Sequence, residues 1–204
     1  MLAISTATKT AMIAIEAAGK RIFSQIEADC RQSEKMMQEI DNLLSKNNLS
    51  LEDIGNFAVV IGPGSFTGLR IGAALIKGFC AALPKSKVVE IPTLDLMAAE
   101  VIKQVPMKSK FSCYMNAHSN LYYGATFDKN GKKLAPEKLY TNADILKGSE
   151  SKFCLAEEGF LPFGINISPE TLLDLALKMQ DAGFLVCGKE IAVKYIRRSA
   201  AEEQ

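Results

Sequence analysis

Apolar and β-branched residues open the chain in three short runs, Leu2 to Thr8, Ala11 to Glu16 and Arg21 to Ile26. The turn-sized stretches Thr8-Lys9-Thr10 and Ala18-Gly19-Lys20 part them, which predicts a meander of antiparallel strands. The period then changes. From Arg31 to Lys46, Met36, Met37, Ile40, Leu43 and Leu44 recur at helical spacing, with Glu34, Lys35, Gln38, Asp41 and Asn42 on the other side. Ser33 or Asp29 can cap this helix and Asn47-Asn48 stops it. A buried strand at 57 to 61, a helix at 67 to 83, a strand at Val88 to Ile91 and a helix from Thr93 to Lys103, capped by Thr93, complete the first half.

The second half repeats the theme more faintly. Phe111 to Asn116, Leu121 to Asp128 and Lys132 to Tyr140 predict another strand set, with Asp128-Lys129-Asn130-Gly131 as a hairpin turn. A strand at Phe153 to Ala156 and an amphipathic helix at Pro169 to Ala182, with Pro169 near its first turn, follow. Pro106, Lys108 and Lys110 interrupt the apolar pattern between the halves, so the expected lobes are 1-105 and 106-204.

One stretch stands apart, Ile61-Gly62-Pro63-Gly64-Ser65-Phe66-Thr67-Gly68-Leu69-Arg70-Ile71-Gly72, a strand end, a glycine-rich turn and a helix start. Gly62 and Gly64 can take positive φ, and Ser65 or Thr67 can cap the helix, whose outward amides could hold a phosphate. The spacing fits neither a Walker A loop nor G-x-G-x-x-G, because Thr67 stands in the third glycine's place. Gly68, Gly72 and Gly78 each cost the helix roughly 1 kcal/mol relative to alanine. Gly68 and Gly72 share a face and form a notch, suited either to another helix or to close packing on the protein's own sheet.

The string Gly62 to Gly72 resembles the signature of the TsaB (YeaZ-like) family of tRNA threonylcarbamoyladenosine biosynthesis. The resemblance covers nearly the whole chain, with departures. Where the family's first strand reads like I-D-T-S-T, this chain has Ile4-Ser5-Thr6-Ala7-Thr8. Arg31-Gln32-Ser33-Glu34 stands for R-x-H-S-E, and Asn116-Ala117-His118 for D-A-R. Leu121-Tyr122-Tyr123 takes the aromatic strand's place, and Val193-Lys194-Tyr195-Ile196-Arg197 resembles the closing P-x-Y-L-R.

The resemblance implies an α/β chain of two ribonuclease-H-like lobes of the actin-like/Hsp70-like (ASKHA) fold, the second reduced. It implies a non-catalytic scaffold and activator in the synthesis of N6-threonylcarbamoyladenosine (t6A37), binding TsaD, joined by TsaE in a larger complex, and a homodimer when alone. tRNA would be met only through the complex. In nucleotide-hydrolysing relatives of this fold, acids on the first strand of each lobe hold magnesium, and Ser5 and Asn116 are weak substitutes. No catalytic, metal or cofactor residue is therefore expected in the chain alone, and the place for any nucleotide would be the TsaD junction. The expected partner surface is Met36, Met37, Ile40, Gly68, Arg70, Gly72 and Leu75, on the first two helices. A stripe of this width equally fits burial in the chain's own core. Two other readings stand beside the scaffold: a stand-alone ATP-dependent enzyme, and a nucleotide-sensing homodimer in which the loop amides and Arg70 hold a phosphate.

Composition narrows the field further. With 24 basic and 23 acidic residues among 204, the chain lacks the basic footprint of a dedicated nucleic-acid binder. Cys30, Cys80, Cys113, Cys154 and Cys187 form no C-x-x-C pair, and His118 is the one histidine, so a zinc site lacks ligands and reduced thiols are expected. His118 beside Ser119 is not expected to act as base and nucleophile, since side chains one apart on a strand face opposite sides. Ser65 is not a G-x-S-x-G nucleophile. No basic n-region or membrane-length apolar run is present, so a cytoplasmic chain with no membrane partner is expected.

Overall fold

The computed structural model describes residues 1–27, 32–194 and 196, apart from the side chains of 32 and 33. The expected caps at Asp29 and Ser33, the thiol of Cys30, and Tyr195 and Arg197 of the closing motif lie outside what is described.

The opening meander forms as the pattern predicts: β1 (Leu2–Ser5), β2 (Thr10–Ala17) and β3 (Lys20–Glu27) pair antiparallel in sequence. After α1 (Gln32–Lys46), β4 (Phe57–Gly62) returns parallel to β1, and after α2 (Phe66–Ala82), β5 (Lys87–Pro92) lies beside β4. A strand buried along its whole length, as β4 is, must be covered on both faces. On α1, Met36, Ile40 and Leu44 point inward at four-residue steps and join Phe57, Val59, Ile76 and Phe79 in the core, where Phe57 stacks on Phe79 at 5.6 Å. Asn47 ends α1 by donating from Nδ2 to the Leu43 carbonyl at 2.8 Å, and Asn48 takes φ 55°.

The second sheet repeats the first in reduced form. β6 (Phe111–Asn116) and β7 (Leu121–Phe127) follow α3 (Thr93–Gln104), then come β8 (Lys138–Thr141), α4 (Asn142–Lys147), β9 (Ser151–Leu155) and β10 (Gly164–Ile165). Its order, β8-β7-β6-β9-β10, matches β3-β2-β1-β4-β5 strand for strand, including the parallel return of β9 onto β6. Where the first sheet has α2 between its fourth and fifth strands, the second has only the loop from 156 to 163. The fold is thus two ribonuclease-H-like units, one reduced.

Two local expectations are corrected, and one short helix is added to them. Thr93 does not cap α3: it is already the first helical residue, Pro92 holds the cap position, and the Thr93 hydroxyl is buried without a hydrogen-bond partner. The strand expected over Lys132 to Tyr140 is confined to β8, because Pro136 has no N–H to give the ladder. α4 went unread, although Thr141 and Asp144 form its capping box, with Thr141 Oγ1 accepting from the Asp144 amide at 3.2 Å.

Contacts group the chain into Met1–Ile91 with Ser168–Val193, and Pro92–Ile167 with Lys194. α5 (Pro169–Asp181), which the pattern assigns to the second half, packs on β1, β2 and β3, and β11 (Val186–Cys187) pairs with β5. α3 packs on β6, β7 and β10. Each sheet is therefore covered by a helix that the sequence boundary at 105/106 gives to the other half. An apolar stripe says that a helix is buried, not on which sheet.

Candidate functional site

The glycine-rich turn is built to receive the end of β1. Gly62 has φ 120°, a conformation that excludes a side chain, and the Gly62–Pro63 peptide is cis. A Cβ on Gly64 would lie 2.4 Å from the Ala7 carbonyl oxygen, and one on Gly68 would lie 1.9 Å from the Thr6 carbonyl oxygen. Ser65 N–H donates to the Ala7 carbonyl at 2.8 Å, and Ser65 Oγ caps α2 by accepting from Gly68 N–H at 3.2 Å. Thr6 Oγ1 donates to the Gly68 carbonyl at 2.7 Å and would stand 2.5 Å from a Cβ on Gly72. The notch between Gly68 and Gly72 therefore holds Thr6 of the same chain, and the loop's Ser65 amide, which a phosphate would need, is engaged by Ala7.

This arrangement revises the expected partner surface. Gly68 and Gly72 are buried against β1, while Met36 and Ile40, 0% and 2% exposed, belong to the core. None of the four offers surface to a partner. Met37, at 45% exposure, Arg70 and Leu75 do line an open groove of about 740 Å³ on the outer side of α2. Its floor continues over Ala74 and Gly78, four residues apart and both exposed, and a Cβ on Gly78 would meet nothing within 4 Å. The Arg70 guanidinium carbon sits 3.7 Å from the centre of the Phe66 ring at one end. That contact turns Arg70 onto the groove wall, in cation–π geometry. Ala74 and Gly78 were missed. Their small-x-x-x-small spacing was legible, but nothing in the sequence said that this pair faces outward and Gly68/Gly72 inward.

The strand-end positions carry neutral groups. Ser5 is buried, and Asn116 Oδ1 accepts from the His118 amide at 2.7 Å, while Asn116 N–H donates to Glu158 Oε1 at 3.0 Å. His118 and Ser119 do not lie on a strand: with Asn120 they form a left-handed turn, φ 61°, 53° and 60°. Among the described residues, no three of His, Cys, Asp and Glu gather where they could hold a metal ion. Nor is any described helix long and apolar enough to cross a membrane. Burial pushes the Cys113, Cys154 and Cys80 thiols up, away from the reactive thiolate form.

The sequence profile of a family described as "TsaD: tRNA N6-adenosine threonylcarbamoyltransferase" matches residues 19–201. A TsaB tRNA threonylcarbamoyladenosine biosynthesis protein of Haemophilus influenzae is 33% identical over 100 residues, 48% of this chain and 41% of that protein. The Buchnera aphidicola (Baizongia pistaciae) TsaB is 29% identical over 115 residues, 52% of each chain. The chain thus spans about half the length of these curated relatives. The structure of YeaZ from Pseudomonas aeruginosa superposes with a TM-score of 0.80 at 18% identity, covering 95% of this chain and 98% of that one, which establishes the shared fold. By its matched profile, its TsaB relatives and its YeaZ-like fold, the chain belongs to the tRNA threonylcarbamoyltransferase family, on its TsaB/YeaZ branch.

Proposed function

We propose that this chain is a non-catalytic subunit in the synthesis of threonylcarbamoyladenosine on tRNA, acting by holding the transferase subunit TsaD through the groove on α2. The observation that carries this reading is the groove itself. Most of its lining is apolar, one wall is the exposed methionine Met37, and its floor is smoothed by Ala74 and Gly78, so a helix can approach closely. Arg70, held against Phe66, lines the groove with them. With no partner transferase at hand, a second copy of this chain takes the same groove. TsaE joins the larger assembly, and tRNA is met through the complex.

Neutral Ser5 and Asn116 support a supporting role, because a hard cation such as magnesium is held by carboxylate oxygens. The test is reconstitution. Purified chain added to TsaD, TsaE and the remaining components with tRNA should raise threonylcarbamoyladenosine formation, while the isolated chain turns over no Mg·ATP above background. Hydrolysis by the isolated chain that disappears on altering the loop from Gly62 to Gly68 would establish the stand-alone enzyme instead.

A further inference from the structure

In the first sheet, ordered β11-β5-β4-β1-β2-β3, no strand lies beyond β3 among the described residues. The β2–β3 hairpin turns on Ala18 and Gly19, both at positive φ (49° and 73°), a two-residue loop whose flanking residues, Ala17 and Lys20, bond to each other. Hydrogen bonding then alternates along the strand. Lys20, Ile22, Ser24 and Ile26 pair with β2, while Arg21, Phe23, Gln25 and Glu27 turn their main-chain groups away from it. The Glu16 amide, bonded to the Met1 carbonyl at 2.8 Å, fixes the same alternation from the other side of β2. Side chains alternate too: Ser24 donates to Glu39 on α1 and Ile22 and Ile26 pack on the core, whereas Arg21 meets Asp174 on α5. Natural edge strands are often blunted by a proline or a bulge, but β3 keeps an unbroken register from Lys20 to Glu27 and has no proline.

We infer that β3 is a second self-association surface, which pairs antiparallel with β3 of another copy about a two-fold axis at Ser24 and joins the two first sheets edge to edge. The strand's own sequence selects that register. Centred on Ser24, it sets Arg21 opposite Glu27, Phe23 opposite Gln25 and Ile22 opposite Ile26, each twice by symmetry. Opposite charges then meet on one face, and on the other an apolar pair extends the layer that faces the core. Sliding by two residues sets Phe23 against Glu27, or Arg21 against Gln25, and loses both the ion pair and the apolar pair. The groove on α2 takes no part, so this contact stands or falls apart from the proposed transferase surface.

Register-specific cross-linking of the full chain tests it. Residues that face each other across the axis in such a pairing lie about 4.5 Å apart between Cα atoms, within reach of a disulfide. Ser24→Cys treated with oxidised glutathione and digested should yield a peptide linked 24 to 24. Phe23→Cys and Gln25→Cys, which do not face themselves, should yield roughly tenfold less of theirs. A charge reversal reads the same contact without a thiol. In the Ala74→Glu chain, whose groove is blocked, adding Glu27→Arg should weaken the dimer in sedimentation equilibrium by roughly tenfold, because two like-charged pairs replace two ion pairs. A 24-to-24 link no more abundant than the other two, an Ala74→Glu chain that stays monomeric, or a dimer constant unmoved by Glu27→Arg would overturn the inference.

Discussion

Replacing Gly68 by alanine is the sharpest probe of how the glycine-rich turn works, because the two readings of its notch predict opposite signs. If the notch faced solvent or a partner, Gly68→Ala would stabilise the helix by up to about 1 kcal/mol. In the structure the new methyl would lie 1.9 Å from the Thr6 carbonyl oxygen, a backbone atom that cannot rotate away. Ordinary contact requires α2 and the end of β1 to part by about 1.5 Å, on the spacing that buried Cβ atoms normally keep. That movement breaks the 2.7 Å hydrogen bond from Thr6 Oγ1 to the Gly68 carbonyl. Overpacking costs about 1–3 kcal/mol and the lost bond about 1 kcal/mol, against a helix gain of up to about 1 kcal/mol, for a net loss of roughly 1–3 kcal/mol. At about 2–4 °C per kcal/mol for a chain of this size, the melting temperature should fall by roughly 2–12 °C. Urea unfolding followed by circular dichroism, with Gly78→Ala as the control of opposite sign, measures this directly. A Gly68→Ala protein as stable as wild type or more so would refute the docking of β1 under α2.

Gly72→Leu should lower soluble yield and stability, because its side chain would strike Thr6 Oγ1 and Val59, so lost partner binding by that variant reports unfolding and not an interface. Gly124→Ala should destabilise the second unit by about 1–3 kcal/mol, read as a lower urea midpoint, since its methyl would come within 2.5 Å of the Tyr114 ring and split the edge-on Tyr114–Tyr140 pair. Burial works to raise the Glu137 pKa, but Lys194, Glu137's own amide and Lys133 hold it down to about 2, below its ordinary 4.5. The stability it contributes, roughly 3 kcal/mol, is therefore present above pH 4.5 and lost as pH falls toward 2. Acid titration of unfolding should show the gap between wild type and Glu137→Gln closing across that window, and a gap constant with pH would contradict the assignment.

Much of this fold was legible because its signals are local. The three opening strands, the period of α1 and the strand-turn-helix at Gly62 each follow from residues close in sequence. What could not be read was direction. Gly68 and Gly72 lie four apart and so share a face, but their target, Thr6, is some sixty residues away and carries no mark of the contact. Met36 and Met37 are adjacent and chemically alike, yet the helix turns one into the core and leaves the other on the groove wall. The stripe of α5 likewise announced burial without naming β1, β2 and β3 as its partners. The strand-end substitutions were legible at once, since Ser5 and Asn116 are chemical facts that need no geometry.

The central claim is that the outer groove of α2 holds the transferase subunit. Ala74→Glu tests it most directly, because Ala74 is exposed on the groove floor and a surface change of this kind moves stability by only about 0.5 kcal/mol. Titration calorimetry of the wild-type chain and this variant against purified TsaD should give a one-to-one complex that the variant weakens by roughly thirtyfold or more, the cost of about 2 kcal/mol for losing a central interface contact. Equal affinity in the two proteins, or no complex with the wild-type chain, would contradict it.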